Sequence, residues 1–214
     1  MTSAPVGDDA AVASSPVDRD DAGGWSLPDQ AVDAVRRLEQ DERVDPVVGT
    51  LERVADTVVA SDAIDDLLTG AWLGHAAHPL MTDLPIGSWT SATLLDLLGG
   101  RRARPAAAGL VAFGVATAVP TVATGLAEFR HLGTESRRVA AVHAVSNACA
   151  LGLYTASLVA RRRHHARGVV LGLAGGLVAS VGGYLGGHLT VVRKAGTRDE
   201  RFAAPAIETT AVPA

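Results

Sequence analysis

Four long apolar stretches, parted by short arginine-bearing turns, fill the chain from residue 71 to residue 192. The first, 79–99 (PLMTDLPIGSWTSATLLDLLG), is interrupted by Asp83 and Asp96, while 105–127, 139–160 and 168–192 are cleaner. Each is close to the ~20 residues that cross ~30 Å of hydrocarbon at ~1.5 Å per residue. Buried helices of a soluble bundle keep a polar face, and the second and fourth stretches have almost none. The pattern predicts an all-α fold with a four-helix transmembrane bundle over 71–192, both termini on one side.

Upstream, residues 25–70 show helical rather than continuous apolar spacing. LPDQAVDAVRRLEQ is amphipathic, with Pro28 near its start and Pro46 placed to end it. Val47, Leu51, Val54, Val58 and Val59 then recur at helical spacing until Gly70. Two short surface helices are expected, acids outward, lying against something apolar. Residues 1–24 are rich in Asp, Ala, Ser, Pro and Gly and lack the basic start and apolar run of a secretory signal, so a disordered acidic tail is expected. Residues 193–214 read as a polar tail.

Composition sharpens this picture. Of the residues, 48% are hydrophobic but only 4% aromatic, whereas soluble cores draw much of their buried area from aromatic rings. The net charge of −4 hides a division: residues 1–70 hold sixteen acids against five arginines, a balance of −11, and residues 71–214 balance at +7. An acidic front argues against nucleic-acid binding. Cys149 is the single cysteine, so an internal disulfide and a CxxC metal site are both excluded. No phosphate-cradling glycine loop follows a strand, and Ser146 and Asn147 beside His143 lack the carboxylate of a triad. Nothing points to stand-alone catalysis. Arginine and lysine divide seven against seven between the two membrane faces, so charge sets no orientation.

Polar groups inside hydrocarbon are costly, so their depth is informative. His75 and His78 lie at the entrance of the first helix, with Asp83 a turn deeper. Thr121, Thr124 and Glu128 approach the same face along the second helix. His143 lies roughly 6–7 Å inside the third, with Asn147 one turn on, and His188 stands near the end of the fourth. Every helix thus contributes to one layer near one face. Neutral imidazoles ligate iron, copper and zinc, and a pair on facing helices can hold haem b iron from both sides. Arg130, Arg137 and Arg138 stand at the same face, placed to pair with propionates or lipid headgroups. Gly125, Gly182, Gly183, Gly186 and Gly187 offer a flat ring space, or else simply close helix contacts. His75, His78, His143, His188 and Asp83 also make a mixed nitrogen and oxygen set for a divalent metal, and a carboxylate with histidines can relay protons. A purely structural hydrogen-bond network uses the same residues. His164 and His165 extend an RRRHHAR run on the opposite face and read as interfacial charge.

The stretch WLGHAAHPLMTDLPIGSWTSATLLDLLGG, the run VAAVHAVSNACALGLYTASLVARRR and the closing GGYLGGHL resemble an uncharacterised bacterial membrane family, domain of unknown function 2231, over about residues 45–195. The resemblance implies a four-helix integral protein of the bacterial plasma membrane with histidines near one face. Some actinobacterial members carry a Rieske-type iron–sulfur domain after the GGHL segment. Here GHAAHP replaces the expected GHPLHP, and the residues after His188 include no cysteine or histidine. A redox role is implied only by that association, with a Rieske-type protein encoded separately as partner. Two expectations follow: a redox subunit whose histidines hold haem or a metal, or a non-catalytic scaffold that docks a partner through its acidic helices, Asp62, Asp65 and Asp66 included.

Overall fold

A computed structural model describes residues 27–196 and 199. The expected acidic tail, 1–24, lies outside the described residues, as does most of 193–214. Seven α-helices make up the described chain: α1 (Leu27–Gln40), α2 (Asp45–Val58), α3 (Asp62–Thr69), α4 (Ala77–Leu98), α5 (Gly100–Arg130), α6 (Thr134–Arg161) and α7 (His165–Gly187), the last running into a π turn over His188–Val192. No strand occurs among the described residues.

The N-terminal region holds three helices where two were expected, because the second run breaks between Val58 and Asp62. Ser61 opens α3, its hydroxyl accepting from the Ile64 amide at 3.4 Å. Pro46 does not end α1, which stops at Gln40. It stands in the first turn of α2 instead, where a missing amide hydrogen costs nothing. Gly70 (φ 86°) and Gly74 (φ 78°) then turn the chain into α4 in left-handed conformations. A Cβ on Gly70 would stand 2.7 Å from the His75 carbonyl oxygen.

The long helices form two antiparallel hairpins, α4 along α5 and α6 along α7, joined chiefly through α5 against α6. Their polarity is inverted relative to a soluble bundle. Apart from Trp89, Phe129, Tyr154, Leu185 and Leu189 the buried hydrophobic core residues are alanines and valines, while Leu98 (82%), Leu177 (74%) and Val119 (65%) are exposed. Small residues inside and large apolar ones outside are what lipid solvation favours. Helices α5, α6 and α7 with its π turn are each long and apolar enough to cross a membrane, whereas α4 is not on the same measure. Its 22 residues include Asp83, Asp96 and Pro85.

Pro85 has no amide hydrogen to give the Met81 carbonyl one turn earlier. The single hydroxyl hydrogen of Thr121 on α5 is shared between that carbonyl at 3.1 Å and the Thr117 carbonyl of its own helix at 2.8 Å, the kind of repair by a neighbouring helix that makes proline tolerable in hydrocarbon. Deeper in the bundle Trp89 stacks on Tyr154 at 4.1 Å, with Gly114 giving room to the indole and Gly175 to the phenol ring. At the opposite end of the hairpins from the turns, α1 and α2 close over the bundle: Val35 packs with Phe129, Val139, Ala140, Leu185 and Leu189, and Leu51 leans on the same cluster.

Candidate functional site: a buried imidazole pair

Two of the sequence-selected histidines meet. His78, one residue into α4, and His143 of α6 face each other with ring centroids 6.3 Å apart and planes at 83°. Each ring is fixed through Nδ1. The His78 Nδ1–H donates to the Thr121 carbonyl at 3.0 Å and lies 3.1 Å from the Thr124 hydroxyl oxygen. The His143 Nδ1–H donates to the Gly182 carbonyl at 2.8 Å. A carbonyl accepts only, so both neutral rings carry hydrogen on Nδ1 and a lone pair on Nε2. A ligating histidine is held in this way by its outer hydrogen bond. Asn147, one turn along α6, donates from Nδ2 to the His143 Nε2 at 3.0 Å.

Glycines make the seats. A Cβ on Gly125 would stand 2.7 Å from the His78 ring, and one on Gly186 would stand 2.9 Å from the His143 ring. Gly182 is closed in the same way by the Asn147 amide. Gly183 and Gly187 have no atom within 4 Å of a Cβ position. Of the five glycines assigned to a flat cofactor, three therefore seat the polar side chains themselves.

The other selected residues go elsewhere. His188 turns to Glu39 of α1, Nε2 to Oε1 2.9 Å, with Arg193 3.6 Å from the same oxygen. His75 is exposed, and among the described residues its ring bonds to the carbonyl of Ala76. Asp83 is exposed on α4, and Glu128 is buried near the end of α5. Among the described residues no three His, Cys, Asp or Glu side chains gather into a group that could hold a metal ion. His165 is half-buried, 3.9 Å from Asp96, rather than purely interfacial.

The three arginines assigned to propionates or headgroups all pair with the N-terminal helices. Arg130 reaches Asp56 at 3.2 Å and Asp65 at 3.4 Å, and Arg137 reaches Glu52 at 2.7 Å. Arg138 forks onto Asp45 at 2.8 and 3.0 Å, and these bonds hold the Asp45 carboxyl below its ordinary range. Of the acids the scaffold reading named for a partner, Asp62, Asp65 and Asp66, Asp65 is engaged within the chain by Arg130 and His131.

Two polar features escaped the sequence. Asp96 of α4 and Arg161 of α6 form a buried bidentate pair, their side chains 4% and 5% exposed. Glu39 was the other. It stands four residues after the buried Val35, on the packed face of α1, and a charge on an apolar stripe is the signal that marks it.

A bundle with small residues within, large apolar ones without and a fixed pair of interior imidazoles defines a small helical membrane protein. The chain belongs to the family described as predicted membrane protein (DUF2231), whose profile matches residues 74–199. No curated protein and no solved structure matches it.

Proposed function

We propose that the protein crosses the membrane four times and that His78 and His143 are a cofactor-binding imidazole pair, with haem iron as the ligand and electron transfer as its role. Register supports the fourth crossing. His78 lies against Thr121, Thr124 and Gly125, and Trp89 against Val111 and Gly114, so α4 runs antiparallel to α5 over the whole depth of its apolar segment. If α5 crosses, α4 crosses beside it, with Ser88, Trp89 and Asp96 turned into the bundle and Asp83, Thr90 and Ser91 exposed. Cysteines at Ala103 and Arg163 in a Cys149→Ser background should label from one side, and at Ser61 and Gly133 from the other. Labelling of Ser61→Cys and Ala103→Cys, which flank α4, from the same side contradicts four crossings.

The observation that carries the imidazole reading is the Nδ1 anchoring of both rings onto backbone carbonyls. A free metal ion such as zinc takes three or four protein ligands, and no such group is formed among the described residues. Haem would need only two imidazoles from the protein, which His78 and His143 would supply, and when bound it would provide one-electron transfer. The two ring centres lie 6.3 Å apart, on helices of different hairpins. The propionates would have to compete with cap carboxylates for Arg130, Arg137 and Arg138. Asn147 favours a second reading, a structural knot, because its amide already satisfies the His143 Nε2. An optical spectrum after expression with haem separates the two.

A further inference from the structure

The sequence shares its bases evenly between the ends of the bundle, but the fold uses them differently. At the end covered by α1–α3, Arg130, Arg137, Arg138 and Arg193 each meet a carboxylate, Arg193 reaching Glu135 at 2.6 Å. At the other end, where α4 turns into α5 and α6 into α7, Arg161 is taken by Asp96. Asp96 is the one acid available there, since none stands between it and Glu128, or between Glu135 and Asp199. Arg101, Arg102, Arg104, Arg162, Arg163 and Arg167 are all exposed, and no ion pair engages them among the described residues.

We infer that this acid-free arginine face is a binding surface for anionic phospholipid headgroups. The two turns are continuous with outward apolar residues, Leu97 and Leu98 on one hairpin and Val159 on the other, all more than half exposed. The guanidiniums therefore stand at the hydrocarbon boundary, at the level of headgroup phosphates rather than free in water. Planar guanidinium forks match phosphate oxygens with two parallel hydrogen bonds, and clustered bases beside a membrane span are drawn to anionic leaflets. The covered end, rich in carboxylates, is repelled by the same lipids. The inference rests on four crossings and is indifferent to what the imidazole pair binds.

Native mass spectrometry of the full-length protein, released from neutral detergent after exposure to equal phosphatidylglycerol and phosphatidylcholine of one acyl composition, tests it. Phosphatidylglycerol should be retained preferentially. The preference should fall roughly fivefold for each arginine removed in Arg101→Gln/Arg102→Gln/Arg104→Gln or Arg162→Gln/Arg163→Gln/Arg167→Gln. It should be unchanged in Arg36→Gln/Arg37→Gln, at exposed positions on α1. In wild type, which needs no variant to fold, it should weaken as salt is raised. Equal retention of the two lipids, a salt-independent preference, survival in both triple variants, or loss in the α1 variant overturns the inference. The cysteine labelling above reports failure of the four-crossing reading separately.

Discussion

Thr121→Val, measured with and without Pro85→Ala, separates the interhelical share of the Thr121 hydroxyl hydrogen from its share to the Thr117 carbonyl and tests why α4 tolerates a proline. The Thr121 hydroxyl donates to the Met81 carbonyl at 3.1 Å, an acceptor whose own helical donor is missing because residue 85 is proline. Valine keeps the branched shape and removes the donor. Hydrogen bonds between membrane helices contribute about 0.6 kcal/mol on average and up to about 1.7 kcal/mol, and an acceptor with no alternative partner belongs near the upper end. Pro85→Ala supplies an amide hydrogen four residues after Met81, so in that background the Thr121 hydroxyl becomes redundant. The expected cost of Thr121→Val is about 1–1.7 kcal/mol in wild type and near zero beside Pro85→Ala. Unfolding in mixed micelles of rising dodecyl sulfate content, followed by tryptophan fluorescence, gives all four corners of the cycle. An equal cost in both backgrounds refutes the repair argument, and the hydroxyl then matters only through its second bond, to the Thr117 carbonyl.

The glycine seats predict that Gly125→Ala and Gly186→Ala each cost about 1–3 kcal/mol by overpacking against an imidazole, while Gly183→Ala, with no atom near its Cβ position, is neutral in the same unfolding assay. Asp96→Ala leaves the Arg161 guanidinium buried and unpaired and should cost about 3–5 kcal/mol, and Asp96→Leu/Arg161→Leu should cost less than Asp96→Leu alone. Asp45 has a depressed folded pKa, so its contribution to docking α2 is complete above its ordinary value of 3.8 and is lost as pH falls below that through the folded value. Hydrogen exchange of α2 amides should rise over that window in wild type and show no such step in Arg138→Gln.

Much of the architecture is legible in the sequence because lipid leaves few alternatives. Apolar stretches of one length, separated by arginine turns, locate α5, α6 and α7 within a few residues. The first stretch is harder: its acids and proline lower its apolar character, and only α5, α6 and α7 are apolar enough to cross a membrane, although α4 packs along α5. Depth along a helix is also legible, since it follows from counting residues. Azimuth is not. His78, His143 and His188 all lie near the covered end, but which faces inward depends on helix rotation, and the rotation is set by where glycines admit a ring. His78 and His143 find Gly125 and Gly186, whereas His188 finds Glu39 on a helix about 150 residues earlier in the chain. The same limit hides the pairing of Arg130, Arg137 and Arg138, because nothing local tells a headgroup arginine from one facing an acidic helix. The third helix of the cap was missed for a different reason: the second run reads as continuous from Val47 to Gly70, and its break after Val58 is marked only by Ser61, a helix-opening residue inside that run.

The most direct measurement is the visible spectrum of the protein purified after expression with haem in excess, for wild type and three alanine variants. The account predicts a Soret band in wild type, its loss in His78→Ala and in His143→Ala, and its retention in His188→Ala, whose imidazole is engaged by Glu39. Colourless wild-type protein that is folded and inserted, or a Soret band that disappears with His188 and survives the loss of His78 or His143, contradicts it.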